Sequence, residues 1–252
     1  MADDKKILAL FDADHTLIDG SSGSMMIRYL YSLGRVPLSA LFKELKFSIL
    51  YTMNRLPYRQ IYEWTAQLLA GLTVCEAMAL TDEAHERYWL GRYFAEGREA
   101  IRKHKEMGHI TVIATSATEY IAAIVRDQLG ADDSFGTPVL LDESGIMLNQ
   151  ASDFITYGEG KLIAARKFAE KIGADLADAY FYSDSASDFP LLSATGYPIM
   201  VNPQRKLLKL ARGKNWPIVW WSTHLEFRES AKPRFINGED ISHWRGETTG
   251  RK

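Results

Sequence analysis

The run Ile7-Leu8-Ala9-Leu10-Phe11-Asp12-Ala13-Asp14-His15-Thr16-Leu17 decides the fold. A short apolar stretch ended by two acids at i, i+2 reads as a strand buried on both faces that stops at a polar crevice. Similar apolar runs recur at residues 110–114 and 179–182, and helical patterns at 98–107 and 162–172 lie between them. Strands alternating with helices predict an α/β protein, a Rossmann-like parallel sheet covered by helices on both faces. The order of its strands is not readable at this stage.

Residues 24–95 break the alternation with four successive helical stretches, punctuated by Gly34, Pro37, Pro57 and Gly71-Leu72-Thr73. A helical block between the first and second strands predicts an inserted cap. The expected organisation is therefore a core of residues 1–19 and 96–222, a helical cap of 20–95 and a polar tail of 223–252, peripheral or partly disordered. Residues 139–141 and 146–148, joined across Asp142-Glu143-Ser144-Gly145, predict a β-hairpin. A cap that opens and closes would hinge near Gly20 and Gly97.

Composition narrows the partners. The 252 residues are 46% hydrophobic and 25% charged with a net charge of −2, which gives no basic field for nucleic acid. Cys75 is the only cysteine, so an intrachain disulfide and a cysteine-based zinc site are both excluded. The N-terminal residues are polar, and the apolar run that follows is too short for a signal core. The most apolar later stretch, 38–53, carries Lys43, Glu44 and Lys46. A membrane span needs about 20 mostly apolar residues, so this stretch reads as an amphipathic helix. The expectation is a cytoplasmic protein with no membrane partner; the oligomeric state is left open.

The crevice beyond the carboxyl ends of parallel strands is where ligands bind. Asp12 and Asp14 at such an end make a crowded anionic mouth that calls for a cation or a shared proton. One carboxylate can attack phosphorus and the other can protonate the leaving oxygen. The plainer alternative is a helix cap or a solvated turn. Ser116-Ala117-Thr118 follows the second strand and offers a hydroxyl and backbone N–H groups suited to phosphoryl oxygens, or else Ser116 caps the helix from Glu119. Gly158-Glu159-Gly160-Lys161 opens a helix, with Lys161 either neutralising phosphate or lying in solvent. Ser183-Asp184-Ser185-Ala186-Ser187-Asp188 adds two acids of the kind Mg²⁺ prefers, although Asp188 could cap a helix over 189–194 with Pro190 in its first turn. Four coincidences at four element ends are hard to attribute to capping alone.

In this combination the chain resembles the haloacid-dehalogenase-like phosphatases, in the phosphoserine-phosphatase-like branch (subfamily IB) with a helical C1-type cap. The resemblance rests on Asp12-Ala13-Asp14-His15-Thr16, Ser116, Gly158-Glu159-Gly160-Lys161, and Asp184 with Asp188, in the family's order, and spans residues 6–219. It implies Asp12 as nucleophile and Mg²⁺ ligand. It implies Asp14 as general acid and base, also binding the metal through its carbonyl. Ser116 and Ala117 would hold phosphoryl oxygens, Lys161 the charge of nucleophile and phosphate, Asp184 the metal, and Asp188 the metal's surroundings. The implied cofactor is Mg²⁺ and the implied substrate a small phosphorylated metabolite.

The sequence departs from the best-known members at the substrate end. Thr65 falls where phosphoserine phosphatases carry a carboxylate-binding Arg, and Ser21 where they carry an acid for the amine. Threonine cannot form arginine's bidentate pair with a carboxylate, which argues against phosphoserine unless Arg28, Arg55 or Arg59 substitutes. Histidinol phosphate stays open, with Tyr58, Tyr62 or Trp64 as an aromatic pocket. A phosphotransferase or phosphomutase would use the same aspartyl-phosphate, and a phosphoacceptor receiver module similar acids. The length and the cap-like insert count against the receiver.

Overall fold

The computed structural model describes residues 6–53, 55, 57–226, 235–236 and 239–240. The first strand, β1 (Leu8–Phe11), leads through a tight turn to four helices, α1 (Ser22–Ser32), α2 (Leu38–Thr52), α3 (Tyr58–Leu69) and α4 (Val74–Ala84). A π-type turn over His85–Trp89 and a 3₁₀ turn over Leu90–Arg92 bring the chain to α5 (Ala95–Glu106). Then follow β2 (Ile110–Thr118), α6 (Glu119–Leu129), β3 (Asp133–Thr137), and the pair β4 (Val139–Leu141) and β5 (Met147–Ala151). The remainder runs α7 (Glu159–Ile172), β6 (Tyr180–Ser183), α8 (Phe189–Ala194), β7 (Tyr197–Val201), α9 (Arg205–Lys214) and β8 (Ile218–Val219). A two-stranded ribbon of β9 (Phe235–Ile236) and β10 (Glu239–Asp240) comes last.

The main sheet has the order β3-β2-β1-β6-β7-β8, every pair parallel. Strand order reverses between β1 and β6, so the binding crevice lies beyond their carboxyl ends. The alternation of β1 divides the core. Leu8 and Leu10 pack with Val112, Phe181, Leu162 and Leu207, whereas Ala9 and Phe11 pack with Ile113, Ile101, Ile121 and Trp89. Both faces are buried, as the apolar runs predicted.

The four helices α1 to α4 run in succession from Ser22 to Ala84, and their ends follow local chemistry. Pro37 and Pro57 precede α2 and α3, and Thr73 with Glu76 makes a reciprocal capping box at α4. Gly71 and Leu72 exchange backbone hydrogen bonds with Met147 of β5, which ties the insert to the β4–β5 hairpin.

Three expectations are corrected. Gly97 is no hinge: it lies in the first turns of α5, where an added Cβ would sit 2.7 Å from Leu17 and 3.1 Å from Trp221. Glycine is needed there for close packing. The stretch from Thr223 is not peripheral at its start, because Leu225 packs on the core and its N–H donates to Tyr93 O. The Glu96 carboxylate also accepts the Thr223 N–H. Apart from β9 and β10, the tail beyond residue 226 falls outside the described residues. Finally, β2 continues through Ser116 and Ala117 to Thr118, with a register shift between Ala114 and Thr118. Thr118, not Ser116, holds the N-cap position of α6.

Candidate active site

Asp12 leaves β1 with its N–H donating to Tyr182 O of β6, which fixes it at the point where strand order reverses. The following turn wraps around one acceptor: Ala13 O takes the N–H groups of Leu17 at 2.8 Å and Ile18 at 3.0 Å. His15 takes φ 60° in this turn, a left-handed conformation uncommon outside glycine. The turn delivers Asp14 to the start of α1, where Ser22 N–H donates to its Oδ1 at 2.9 Å and the Ser21 hydroxyl to its Oδ2 at 3.4 Å. A carboxylate at a helix N-terminus sits where the backbone dipole favours negative charge.

Lys161, in the first turn of α7, is 1% exposed and bridges two acids. Its Nζ lies 2.8 Å from Asp12 Oδ1 and 2.7 Å from Asp188 Oδ2. The close approach of α7 needs Gly160, where a Cβ would fall 1.9 Å from Ile155 O. Asp188 is wholly buried at the head of α8, but its carboxylate goes to Lys161 and the Ser183 hydroxyl instead of capping that helix. Asp184 Oδ2 accepts from Tyr51 OH and Gln204 Nε2, each at 3.1 Å. Thr16 links the two strand ends, because its Oγ1 accepts Asp184 N–H at 3.0 Å and reaches Asp12 Oδ2 at 3.5 Å.

The charges do not balance. Asp12, Asp184 and Asp188 are buried around one lysine. Burial, against the pull of Lys161 and with the added repulsion of Asp188, pushes the Asp12 carboxyl up to about 7. Burial, then Asp12 and Asp188, drives Asp184 well above the carboxylate range. Burial works against charge on Lys161 too, but Asp12 and Asp188 more than offset it and hold the ammonium firmly protonated. Three carboxylates face one ammonium, and among the described residues the buried oxygens Asp184 Oδ1 and Asp188 Oδ1 have no partner. Among the described residues no three acidic, imidazole or thiol side chains form a ready cage. Mg²⁺ does not need one, since it commonly binds through one or two carboxylates, several waters and substrate phosphate. The donor set fits that ion.

A family model described as haloacid dehalogenase-like hydrolase matches residues 9–193, from β1 through α8. The chain belongs to the haloacid dehalogenase-like hydrolases. It stands with the phosphatase branch of that family, as the resemblance implied. It is 30% identical over 214 residues to a phosphoserine phosphatase of Mycobacterium tuberculosis, covering 83% of this chain and 69% of that one. It is 28% identical over 218 residues to a histidinol-phosphatase of Neisseria meningitidis, covering 85% of this chain and 98% of the other. A solved structure from Bordetella pertussis, described as of unknown function, superposes with a TM-score of 0.76 at 26% identity, over 85% of this chain and 98% of that chain.

The remaining positions singled out in this hydrolase are accounted for as follows. Ser116 and Ala117 border the same cavity as Asp12 and Lys161. The Ala117 N–H is engaged by Thr115 Oγ1 at 3.1 Å, and Ser116 O accepts from Thr137. Arg28 and Arg55 are exposed, and Arg59 is taken by Glu63 and Asp153, so none of the three lines the cavity. Thr65, Tyr58, Tyr62 and Trp64 do line it. Sequence reading gave no role to Thr16, Ser183, Gln204 or Tyr51. Gln204 had a local signal, as a polar residue beyond the apolar strand β7; Tyr51 had none. No helix among the described residues is long and apolar enough to cross a membrane.

Proposed function

We propose that this hydrolase is a Mg²⁺-dependent phosphatase that cleaves a small-molecule phosphate monoester through an aspartyl-phosphate on Asp12. The observation that carries the reading is Lys161 held between Asp12 and Asp188 in a buried site where three carboxylates surround one ammonium. Asp12 and Asp184, with the Asp14 carbonyl, would hold Mg²⁺, which offsets the charge of carboxylate and phosphate. Asp188 orients Lys161 and that end of the site.

The Asp12 carboxylate attacks phosphorus while the bond to the ester oxygen breaks, and Asp14 gives its proton to that oxygen. Water then attacks the phosphorus, Asp14 takes a proton from it, and the bond to Asp12 breaks, releasing inorganic phosphate. Lys161 and the Ser116–Ala117 strand end face the phosphoryl oxygens. The Ala117 N–H must turn from Thr115 to take part. Ser21 and Ser22 hold Asp14 in place between the two proton transfers.

The test is Mg²⁺-dependent phosphate release from a panel of metabolite phosphates with no acceptor alcohol present. Borohydride reduction of the acyl phosphate should mark Asp12 in a peptide digest. Asp12→Asn should lower turnover by several orders of magnitude, roughly the scale at which removing a nucleophile acts, with an unchanged circular dichroism spectrum. Near-normal turnover in that variant would sink the assignment. Phosphate release only on addition of an acceptor would instead make the enzyme a transferase.

A further inference from the structure

The cavity that holds Asp12 and Lys161, about 220 Å³, extends up into the helical insert between α1, α2 and α3. Its upper wall is apolar and aromatic, formed by Met26, Ile27, Leu30, Phe47, Trp64 and Leu68. The insert contributes one charged side chain to the lining, Glu44 of α2. No basic residue of the insert shares the cavity: Arg59 is ion-paired elsewhere, and the Lys43 ammonium lies over the Trp64 ring.

Glu44 is held, yet it is not neutralised. The hydroxyls of Ser24 and Ser48 both donate to its Oε1, the second at 2.7 Å. Among the described residues no donor reaches Oε2 and no cation pairs with the group. A half-buried carboxylate in an apolar pocket is costly unless a cation meets it, and two hydroxyls from two helices fix its direction. Thr65, which also lines the cavity, provides no guanidinium to receive an anion.

We infer that Glu44 anchors a cationic group at the far end of the substrate. The site then selects phosphate monoesters with an apolar or aromatic body that end in an amine or imidazolium, and disfavours those that carry a carboxylate there. Like charge opposite Glu44 would repel a carboxylate, and no residue of the cavity's upper part would offset it. The inference rests on the phosphatase reading for the orientation of the ester, with phosphate at Asp12.

The test compares histidinol phosphate, which has an aromatic body and cationic groups, with 3-phenylpropyl phosphate, which is neutral beyond its phosphate, and with phosphoserine. Calorimetric binding with Mg²⁺ present uses Asp12→Asn as the non-turning background, alone and combined with Glu44→Gln. Histidinol phosphate should bind about tenfold or more tighter than either other ester, the scale of one hydrogen bond to a charged group. Glu44→Gln should erase that preference. The kcat/KM ratio of histidinol phosphate to phenylpropyl phosphate should fall likewise in Glu44→Gln with Asp12 intact. An unchanged ratio, or equal loss for both esters, overturns the inference. A Glu44-dependent binding preference without turnover of any ester would uphold Glu44 and overturn the phosphatase reading.

Discussion

Tyr51, on helix α2 of the insert, donates its hydroxyl to Asp184 Oδ2 at 3.1 Å, so the insert touches a buried carboxylate of the core directly. The same ring stacks on His15 at 5.2 Å. With Gln204 also on Oδ2, the carboxylate is oriented and, among the described residues, its Oδ1 is left without a partner. Tyr51 thereby connects the position of the insert to a proposed metal ligand.

Tyr51→Phe is therefore expected to weaken Mg²⁺ binding about tenfold, the low end for losing a group that orients a metal ligand. Mg²⁺ titration followed by thermal shift reads this without substrate. Tighter binding in the variant would mean that the hydroxyl competes with the ion instead of orienting its ligand.

Mg²⁺ should also stabilise the protein, because it relieves repulsion among Asp12, Asp184 and Asp188. At about 100 times Kd the gain is ~2.7 kcal/mol, enough to raise Tm by several degrees in a chain of this size. EDTA should abolish both this gain and phosphate release, and Mg²⁺ should restore both. No metal-dependent shift in Tm would count against a site at these acids.

Lys161→Met removes the one cation that, among the described residues, pairs with two buried acids. Breaking a buried ion pair from one side costs about 3–5 kcal/mol, measurable by urea unfolding. Adding Asp188→Asn should recover a substantial part, since one stranded charge is then gone. No recovery would show that the loss came from packing of the lysine stem.

His85 is wholly buried, both ring nitrogens lack hydrogen-bond partners among the described residues, and burial pushes its pKa down to about 4. The unfolded chain takes up this proton near pH 6.5 and the folded chain only near 4, so stability is full above about 6.5 and falls as pH drops toward 4. His85→Leu should flatten the melting temperature across that window. A slope equal to wild type would assign the acid sensitivity to other groups.

The convergence of Asp12, Lys161, Asp184 and Asp188 was legible because each stands at the end of a strand or the start of a helix, where local pattern and site coincide. Thr16 shows what was not. It joins Asp12 to Asp184, partners far apart in the chain, and only the β1–β6 pairing brings them together. Gly97 misled for a similar reason: a glycine before a helix resembles a hinge, but Leu17 and Trp221 impose it by crowding. The capping alternative for Ser116 fails for a local reason, since a strand with a shifted register runs on past the point where its apolar pattern ends.

The four helices enter the chain at one place, between the Asp12 turn and β2, and they supply Glu44 and the apolar wall, while the residues proposed to handle the phosphoryl group lie outside them, at strand ends, in the Asp12 turn and at the start of α7. On the proposed function, selection of the ester and cleavage of its phosphate would occupy separate stretches of sequence. Descendants of this chain could change diet by drift within the insert while the cleavage apparatus stays untouched, with Tyr51 as the residue that such drift could least easily alter.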